Sequence, residues 1–454
     1  MKIIVFDDDP TGSQTVHNCL LLLQWDYQTL LKGIKSESQL LFILSNTRAL
    51  SEEEANKRLI EICTSLTEVI NKEGYSMKDF IFISRGDSTL RGHNFLEPDV
   101  INQKLGPFDA TFHIPAFIEG NRLTINGKHF VNNIPAHKTI FARDKIFGYQ
   151  TNNLRQLLHK NSKSKIPIDE IQNFTVSDLN MLEIQERNEI FIRIKNLKNN
   201  EHIIVDAGNY FHLDKFCLLI HKLKAEKKFL FRTAASFISS FSKIGHNSKN
   251  NIYYSQLRRK DDENKFMRGL IVCGSYIELS TIQLRKLLQI SSCKPIKINV
   301  REYYQIFKFK DQESQIILLK EQLVNQVRRL IKKNFTPVLY TSRKLILFQS
   351  KDEEIAFNRF LALFIAQIIN ELKFEIGYLI SKGGITSNTI LSEGFKVDSV
   401  YLEGQIMTGI SLLNVNLLKI NDCIPVITFP GNIGDQDTLQ KIWRILENKD
   451  INNI

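Results

Sequence analysis

Short apolar runs alternate along the chain with longer stretches whose apolar residues recur at helical spacing, the pattern of repeated βα units forming mainly parallel sheets. In the first half the runs predict strands over Lys2 to Phe6, Leu40 to Leu44, Phe80 to Ile83, Ala110 to Ile114 and Ile203 to Val205. In the second half they fall at Leu270 to Val272, Ile296 to Val300, Val338 to Tyr340, Gly377 to Ile380 and Val426-Ile427, separated by helices near 280–290, 314–333 and 354–372. A further helix should open at Ser51, where Glu54 completes a capping box, and stop near Gly74. Residues 242–265 are polar and poor in periodic apolar positions. The expected organisation is therefore a first domain over 1–241, a linker over 242–265 and a second domain over 266–454. The expected class is α/β, with two domains each built on a mainly parallel sheet flanked by helices and a cleft between them.

Length and composition agree with two cores. A chain of 454 residues exceeds what a single core usually organises, and 43% apolar residues supply both. The formal net charge of +11 would permit nucleic-acid binding, but Lys and Arg are scattered among Asp and Glu, which suits solubility and attraction of anionic ligands instead. The densest basic run, Arg258-Arg259-Lys260, is followed at once by Asp261-Asp262-Glu263 and reads as solvated linker. The six cysteines show no Cys-x-x-Cys spacing and mostly lie among apolar residues, as reduced core cysteines do, which argues against zinc. The chain begins on a strand with one lysine, without signal-peptide character, so a cytoplasmic location is expected. The apolar stretch Ile355 to Leu372 is interrupted by Asn358, Arg359 and Gln367, as in a core helix rather than a membrane span. Neither nucleic acid nor membrane is expected as a partner.

Candidate chemistry sits where strands end, the place open α/β folds use for ligands. After Phe80 to Ile83 comes Gly86-Asp87-Ser88-Thr89-Leu90-Arg91-Gly92. Arg91 offers a planar fork for carboxylate or phosphate, Ser88 and Thr89 can bond hydroxyls, and Asp87 can take a proton or orient a sugar oxygen. The bland alternative is a capped turn with Arg91 in a surface ion pair. The first strand ends in Asp7-Asp8-Asp9-Pro10-Thr11-Gly12-Ser13. Three adjacent carboxylates repel unless cations, backbone donors or a proton compensate them, and Mg²⁺ is the usual partner beside phosphate chemistry; the alternative is an acidic helix cap.

The second half carries three glycine loops after strands: Cys273-Gly274-Ser275, Lys382-Gly383-Gly384-Ile385-Thr386-Ser387 and Pro430-Gly431-Asn432-Ile433-Gly434. Glycine lets backbone N–H groups approach phosphate oxygens. Three such loops suggest an anion or nucleotide cleft, although ordinary βα turns favour the same residues. None matches the Walker pattern.

Together these motifs resemble the four-carbon acid sugar kinase family, whose members phosphorylate threonate, erythronate or oxo-tetronates with ATP. The resemblance runs in order along nearly the whole chain. It rests on Asp8-Asp9-Pro10-Thr11-Gly12, on Ser45-Asn46-Thr47-Arg48-Ala49-Leu50, on Asp87-Ser88-Thr89-Leu90-Arg91-Gly92, on segments around Pro115 to Gly127 and Thr139 to Asp144, and on the later glycine loops. It implies ATP and Mg²⁺ as cofactors, with a sugar acid and a nucleotide as small-molecule ligands. ATP contacts carry over to Ser275, Gly383, Gly384, Ile385, Thr386, Gly431 and Gly434. On the sugar side it implies substrate contacts at Thr11, Gly12, Arg48, Ser88, Thr89 and Arg91, and catalytic roles among Asp8, Asp9 and Asp87. Two departures stand out: Phe429 replaces a lysine common before the last loop, and Ile385 replaces an acidic or polar residue.

The implied mechanism is closure that brings the γ-phosphate in line with a substrate hydroxyl. Arg91, supported by Arg48, would hold the substrate carboxylate, Asp8 and Asp9 would contact hydroxyls, and one of these aspartates or Asp87 would orient or deprotonate the attacking hydroxyl. Two other readings stay open. Asp7-x-Asp9-x-Thr11 also fits the first motif of haloacid-dehalogenase-type phosphatases, with Asp7 as nucleophile. A non-catalytic ligand-binding or regulatory protein on the kinase scaffold would fit the loss of the lysine at 429. The metal ligands, the sugar acid and the oligomeric state, a homodimer included, are not fixed by the sequence.

Overall fold

The computed structural model describes residues 1–9, 15–182, 188–244, 251–309, 313–343, 346–417 and 423–449. Pro10, Thr11 and Gly12 of the first motif lie outside them. The chain forms two compact units, Met1–His246 and Asn247–Ile454.

In the first unit the strands are β1 (Lys2–Asp7), β2 (Cys19–Leu22), β3 (Leu40–Leu44), β4 (Phe80–Arg85), β5 (Ala110–Ile114), the short β6 (Arg122–Ile125), β7 (Lys128–Val131) and β8 (Ile134–Pro135), then β9 (Gln172–Phe174), β10 (Glu201–Val205) and β11 (Phe229–Thr233). Eight of them form one parallel sheet in the order β2-β3-β1-β4-β11-β5-β10-β9. Both faces are covered, which is why these strands read as continuous apolar runs rather than as alternation. On one face Ile4, Phe6, Ile43 and Phe82 pack against Leu59, Ile62, Leu66 and Val69 of helix Glu52–Lys72 and Val100 and Ile101 of helix Leu96–Leu105. On the other, Phe112 and Phe231 meet Phe216, Phe237 and Phe241 of helices Tyr210–Leu223 and Ala235–Ser242 at ring separations of 5.0–5.5 Å. The capping box at Ser51 is present, with Ser51 Oγ accepting from Glu54 N and Glu54 Oε2 accepting from Ser51 N. The antiparallel β6-β7-β8 sheet turns at Asn126-Gly127, whose positive φ values of 51° and 67° fit a two-residue hairpin.

The second unit holds β12 (Leu270–Cys273), β13 (Cys293–Ile298), β14 (Thr336–Thr341), β15 (Leu379–Lys382), β16 (Ser399–Met407), β17 (Ile410–Asn416) and β18 (Cys423–Phe429). β13-β14-β12-β15-β18 run parallel, and β17 and β16 continue the sheet antiparallel. Helix Lys351–Leu372 is long and apolar enough by composition to cross a membrane, yet Phe357, Phe364, Ile365, Ile368 and Ile369 are buried inside the unit. Three expectations need correction. Val300 opens helix Val300–Lys308 instead of ending a strand. Within 242–265 a helix, Asn251–Gln256, contributes Tyr254 to the core of the second unit. Arg258, expected in solvent, pairs with Glu447 at 2.9 Å and stacks on Phe266.

Candidate functional site

Parallel neighbours end together, so the residues just past β3, β1, β4 and β11 gather at one edge of the first sheet. Asp7 stands opposite Leu44 and Arg85, and Arg85 opposite Thr233. Short backbone bonds tie the exits to each other: Arg48 N–H donates to Asp8 O, Asn46 N–H to Asp7 O, Asp8 N–H to Arg85 O and Gly86 N–H to Thr233 O.

On this frame the charges interlock. Arg48 grips Asp8 through Nη2 at 2.5 Å and Nε at 3.2 Å and reaches Asp9 through Nη1 at 3.3 Å. Arg85 lies 3.3 Å from Asp8 and 3.5 Å from Asp7. Arg232, buried in β11, donates to Glu97 at 2.6 Å and Ser84 at 2.7 Å. Burial raises the Asp7 carboxyl to about 7 against the opposing pull of Arg85, and Asp8 and Asp9 push it the same way. Burial also raises Glu97, against Arg232. Asp87 is the opposite case: burial works to raise it, but Arg48 and Arg91 outweigh that and hold it far below the usual carboxylate range.

The Asp87 to Arg91 turn is a closed knot. Arg91 Nε donates to Asp87 at 2.7 Å, Thr89 Oγ1 donates to the same oxygen, and Leu90 takes a left-handed φ of 66°. The β6-β7 hairpin props it from behind, with the His129 ring 2.8 Å from Ser88 O, and Tyr149 OH donates to Thr89 O at 2.7 Å. Arg122, from β6, donates to Ser88 Oγ at 3.0 Å. Arg91 and Arg122 both lie against the Phe141 ring, 5.3 and 5.9 Å from its centroid. Burial lowers the Arg122 guanidinium, and Arg91 adds to that.

The structure thus brings Asp8, Asp9, Arg48, Asp87, Ser88, Thr89 and Arg91 to one strand-end cluster, but commits Arg48 to aspartates rather than leaving its fork open. Arg85, Glu97, Arg122 and Arg232 belong to the same cluster and were not singled out by sequence reasoning. The available signal was an arginine closing or interrupting an otherwise apolar strand, as in Phe82-Ile83-Ser84-Arg85 and Phe229-Leu230-Phe231-Arg232.

In the second unit the three glycine loops follow β12, β15 and β18, which are adjacent in the sheet. They converge on Ser275: a Cβ at Gly431 would stand 2.5 Å from Ser275 Oγ, one at Gly383 3.2 Å from Ser275 N, and one at Gly274 within 2.1 Å of Thr386 Oγ1. Ser280 Oγ lies 3.0 Å from both Ser275 Oγ and Gly431 O, so it can donate its one proton to the carbonyl and accept from Ser275. The expected use of the loop amides needs correction. Gly274 and Ser275 N–H donate to Lys382 O and Gly383 N–H to Phe429 O, so these donors are spent inside the protein. Gly384 opens the short helix Gly384–Thr389, Thr386 is buried, Ile385 is 55% exposed, and Gly434 with φ 83° packs against Thr438.

Such a fold, with a charged strand-end cluster in one unit and convergent glycine loops in the other, defines a two-domain α/β protein. Residues 3–241 match the family described as the sugar-binding N-terminal domain, and residues 270–439 the nucleotide-binding C-terminal domain. The chain belongs to the four-carbon acid sugar kinase family that joins these two domains. It is 29% identical over 151 residues to a D-erythronate kinase of Heliobacterium modesticaldum (strain ATCC 51547 / Ice1), a match spanning 32% of each protein. Its fold resembles a solved structure from Salmonella typhimurium LT2 with a TM-score of 0.70 at 15% identity, over 97% of this chain and 98% of that one. Haemophilus influenzae protein HI1011 resembles it with a TM-score of 0.64 at 17% identity, over 98% and 99%.

Proposed function

We propose that the protein is an ATP-dependent kinase that phosphorylates a hydroxyl of a four-carbon sugar acid of the threonate, erythronate or oxo-tetronate type. The observation that carries the reading is the pair Arg91 and Arg122. Neither Nη nitrogen of Arg91 makes a hydrogen bond among the described residues, Nη1 meeting Asp144 at 3.9 Å as a loose ion pair; Arg122 Nε is buried without a partner, and the two guanidinium groups share Phe141. Two close cations with spare donors suit a small carboxylate, which would relieve their repulsion and fill their valences.

The remaining groups divide by environment. Asp87, kept ionised by Arg48 and Arg91, accepts hydrogen bonds from sugar hydroxyls and is too weak a base to take their protons. Asp8, with no exposed side-chain surface, is a positioning residue between Arg48 and Arg85. Asp9, with 21% of its side chain exposed, is the aspartate placed to orient or deprotonate the attacking hydroxyl. A phosphatase using Asp7 is disfavoured because that carboxyl is 1% exposed and raised to about 7, a poor setting for an anionic nucleophile. In the second unit Ser275 and Thr386 supply hydroxyls for nucleotide phosphates. Mg²⁺, when bound with ATP, would neutralise phosphate charge.

The test is an ATP-consumption screen over threonate, erythronate and oxo-tetronates. Turnover with one of them supports the kinase and identifies its substrate. Binding of both ATP and a sugar acid with no consumption would favour the non-catalytic ligand-binding reading.

A further inference from the structure

Two cations in the second unit, Lys382 fully buried and Arg343 partly so, have no acid to answer them among the described residues. Lys382, the last residue of β15, stands opposite Phe429 of β18 in the parallel register and has no exposed surface. Its Nζ lies 3.4 Å from the centre of the Phe429 ring and donates to Pro430 O at 3.1 Å. The ammonium thus comes from the neighbouring strand to sit over the phenylalanine. Arg343, just past β14, donates Nη1 to Ser275 O, while its Nε and Nη2, both buried, have no partner. Nε and Nη2 form the side-on edge of the guanidinium, the edge that grips a carboxylate or phosphate through two parallel bonds.

The charged and titratable groups around this pair are Arg343 itself beside Lys382, Cys273 on β12 and Tyr340 on β14; no carboxylate pairs with either cation among the described residues. Burial lowers Lys382 to about 7, with Arg343 pushing the same way, and burial likewise lowers Arg343. Cys273 is raised by burial to about 11 and stays a neutral thiol at physiological pH. A buried ammonium and buried guanidinium nitrogens without a counter-charge are costly unless one arrives. Since the Gly274, Ser275 and Gly383 amides are spent internally, Lys382 and Arg343 are the charged donors these loops place beside an anion.

We propose that Arg343 and Lys382 form the phosphate-holding centre of the second unit, with Arg343 taking a polyphosphate oxygen pair side-on and Lys382 binding beside it once the Pro430 contact yields. This deepens the kinase reading, on which the identity of the polyphosphate as ATP rests. It entails that Lys382, partly neutral in the free protein, takes up a proton when the anion binds.

The test is calorimetry of sodium tripolyphosphate, ATP and adenosine binding to the whole chain between about pH 8 and 9, in buffers of differing ionisation enthalpy. Wild type should bind tripolyphosphate and ATP with uptake of up to one proton, affinity falling up to about tenfold per pH unit, and adenosine with neither effect. Lys382→Met should abolish the proton uptake, and Arg343→Gln should weaken tripolyphosphate at least about tenfold while keeping it. Absence of proton uptake in wild type, its persistence in Lys382→Met, or unaltered tripolyphosphate affinity in Arg343→Gln would overturn the proposal. The wild-type arm needs no variant to fold. The two readings fail separately: tripolyphosphate binding as described without sugar-acid turnover removes the kinase and keeps the anion centre, whereas full turnover by both variants removes the centre and keeps the kinase.

Discussion

The strand ends of the two units solve the same electrostatic problem in different ways. In the first, most arginines are answered by acids: Arg48 by Asp8 and Asp9, Arg85 by Asp7 and Asp8, Arg91 by Asp87 and Arg232 by Glu97. Among the described residues Arg122 is left over, and the outer edge of Arg91 has just a 3.9 Å contact with Asp144. In the second, Arg343 and Lys382 meet carbonyl oxygens and no acid among the described residues. Internal pairing makes the first cluster a rigid frame whose loss should damage the fold. Unpaired charge makes the second dependent on its ligand, so its loss should damage binding.

The largest effect should come from breaking the frame. Arg232→Ala leaves Glu97 buried without its cation and should cost about 3–5 kcal/mol of stability, measured by denaturant unfolding, with thermal stability falling in parallel. A cost near that of a surface ion pair would show that the cluster is not a frame.

Next comes Asp7. Its carboxyl, raised to about 7 in the folded chain, favours the protonated native state, so its contribution is fully present below about pH 4 and is lost as pH rises to about 7. The buried rings of His129 and His202, both lowered by burial to about 4, act in the opposite direction, costing stability as pH falls below about 6.5. The readout is therefore the difference between Asp7→Asn and wild type, which should move in favour of the variant by on the order of 3 kcal/mol between about pH 4 and 8. A difference that stays flat with pH would place the Asp7 proton elsewhere.

Arg91→Lys keeps charge and loses the fork. It should lower kcat/KM for a sugar acid by about 1.5–3 kcal/mol, roughly ten- to a hundredfold, and leave an uncharged four-carbon polyol nearly indifferent. Equal slowing of acid and polyol would make Arg91 structural. The smallest effect belongs to Gly431→Ala, whose Cβ would meet Ser275 Oγ at 2.5 Å. That hydroxyl can swing aside, so ATP affinity should drop only by about 1 kcal/mol, the worth of one hydrogen bond. No drop would place the nucleotide away from Ser275.

What the sequence made legible was local. The β1, β3, β4 and β5 runs are mostly apolar because both sheet faces are covered, and the Ser51 capping box is a contact between residues three apart. β11 was missed because Arg232 breaks its apolar run, and β16-β17 because Glu403-Gly404-Gln405 interrupts the pattern in a hairpin. The motif aspartates and Arg91 could be read as candidates, but their partners could not. Arg232 and Glu97 are 135 positions apart, and Lys382 meets Phe429 only through strand register. Spent loop amides were equally invisible, since they follow from which carbonyls the neighbouring strands present.

The most direct test of two sites with two kinds of ligand is paired calorimetry of ATP and of D-erythronate on Arg91→Lys and Thr386→Val. Arg91 belongs to the paired cluster of the first unit and Thr386 to the convergent loops of the second. Arg91→Lys should weaken erythronate alone and Thr386→Val should weaken ATP alone, each by roughly tenfold or about 1.4 kcal/mol. Loss of ATP binding in Arg91→Lys, or of erythronate binding in Thr386→Val, would contradict the account.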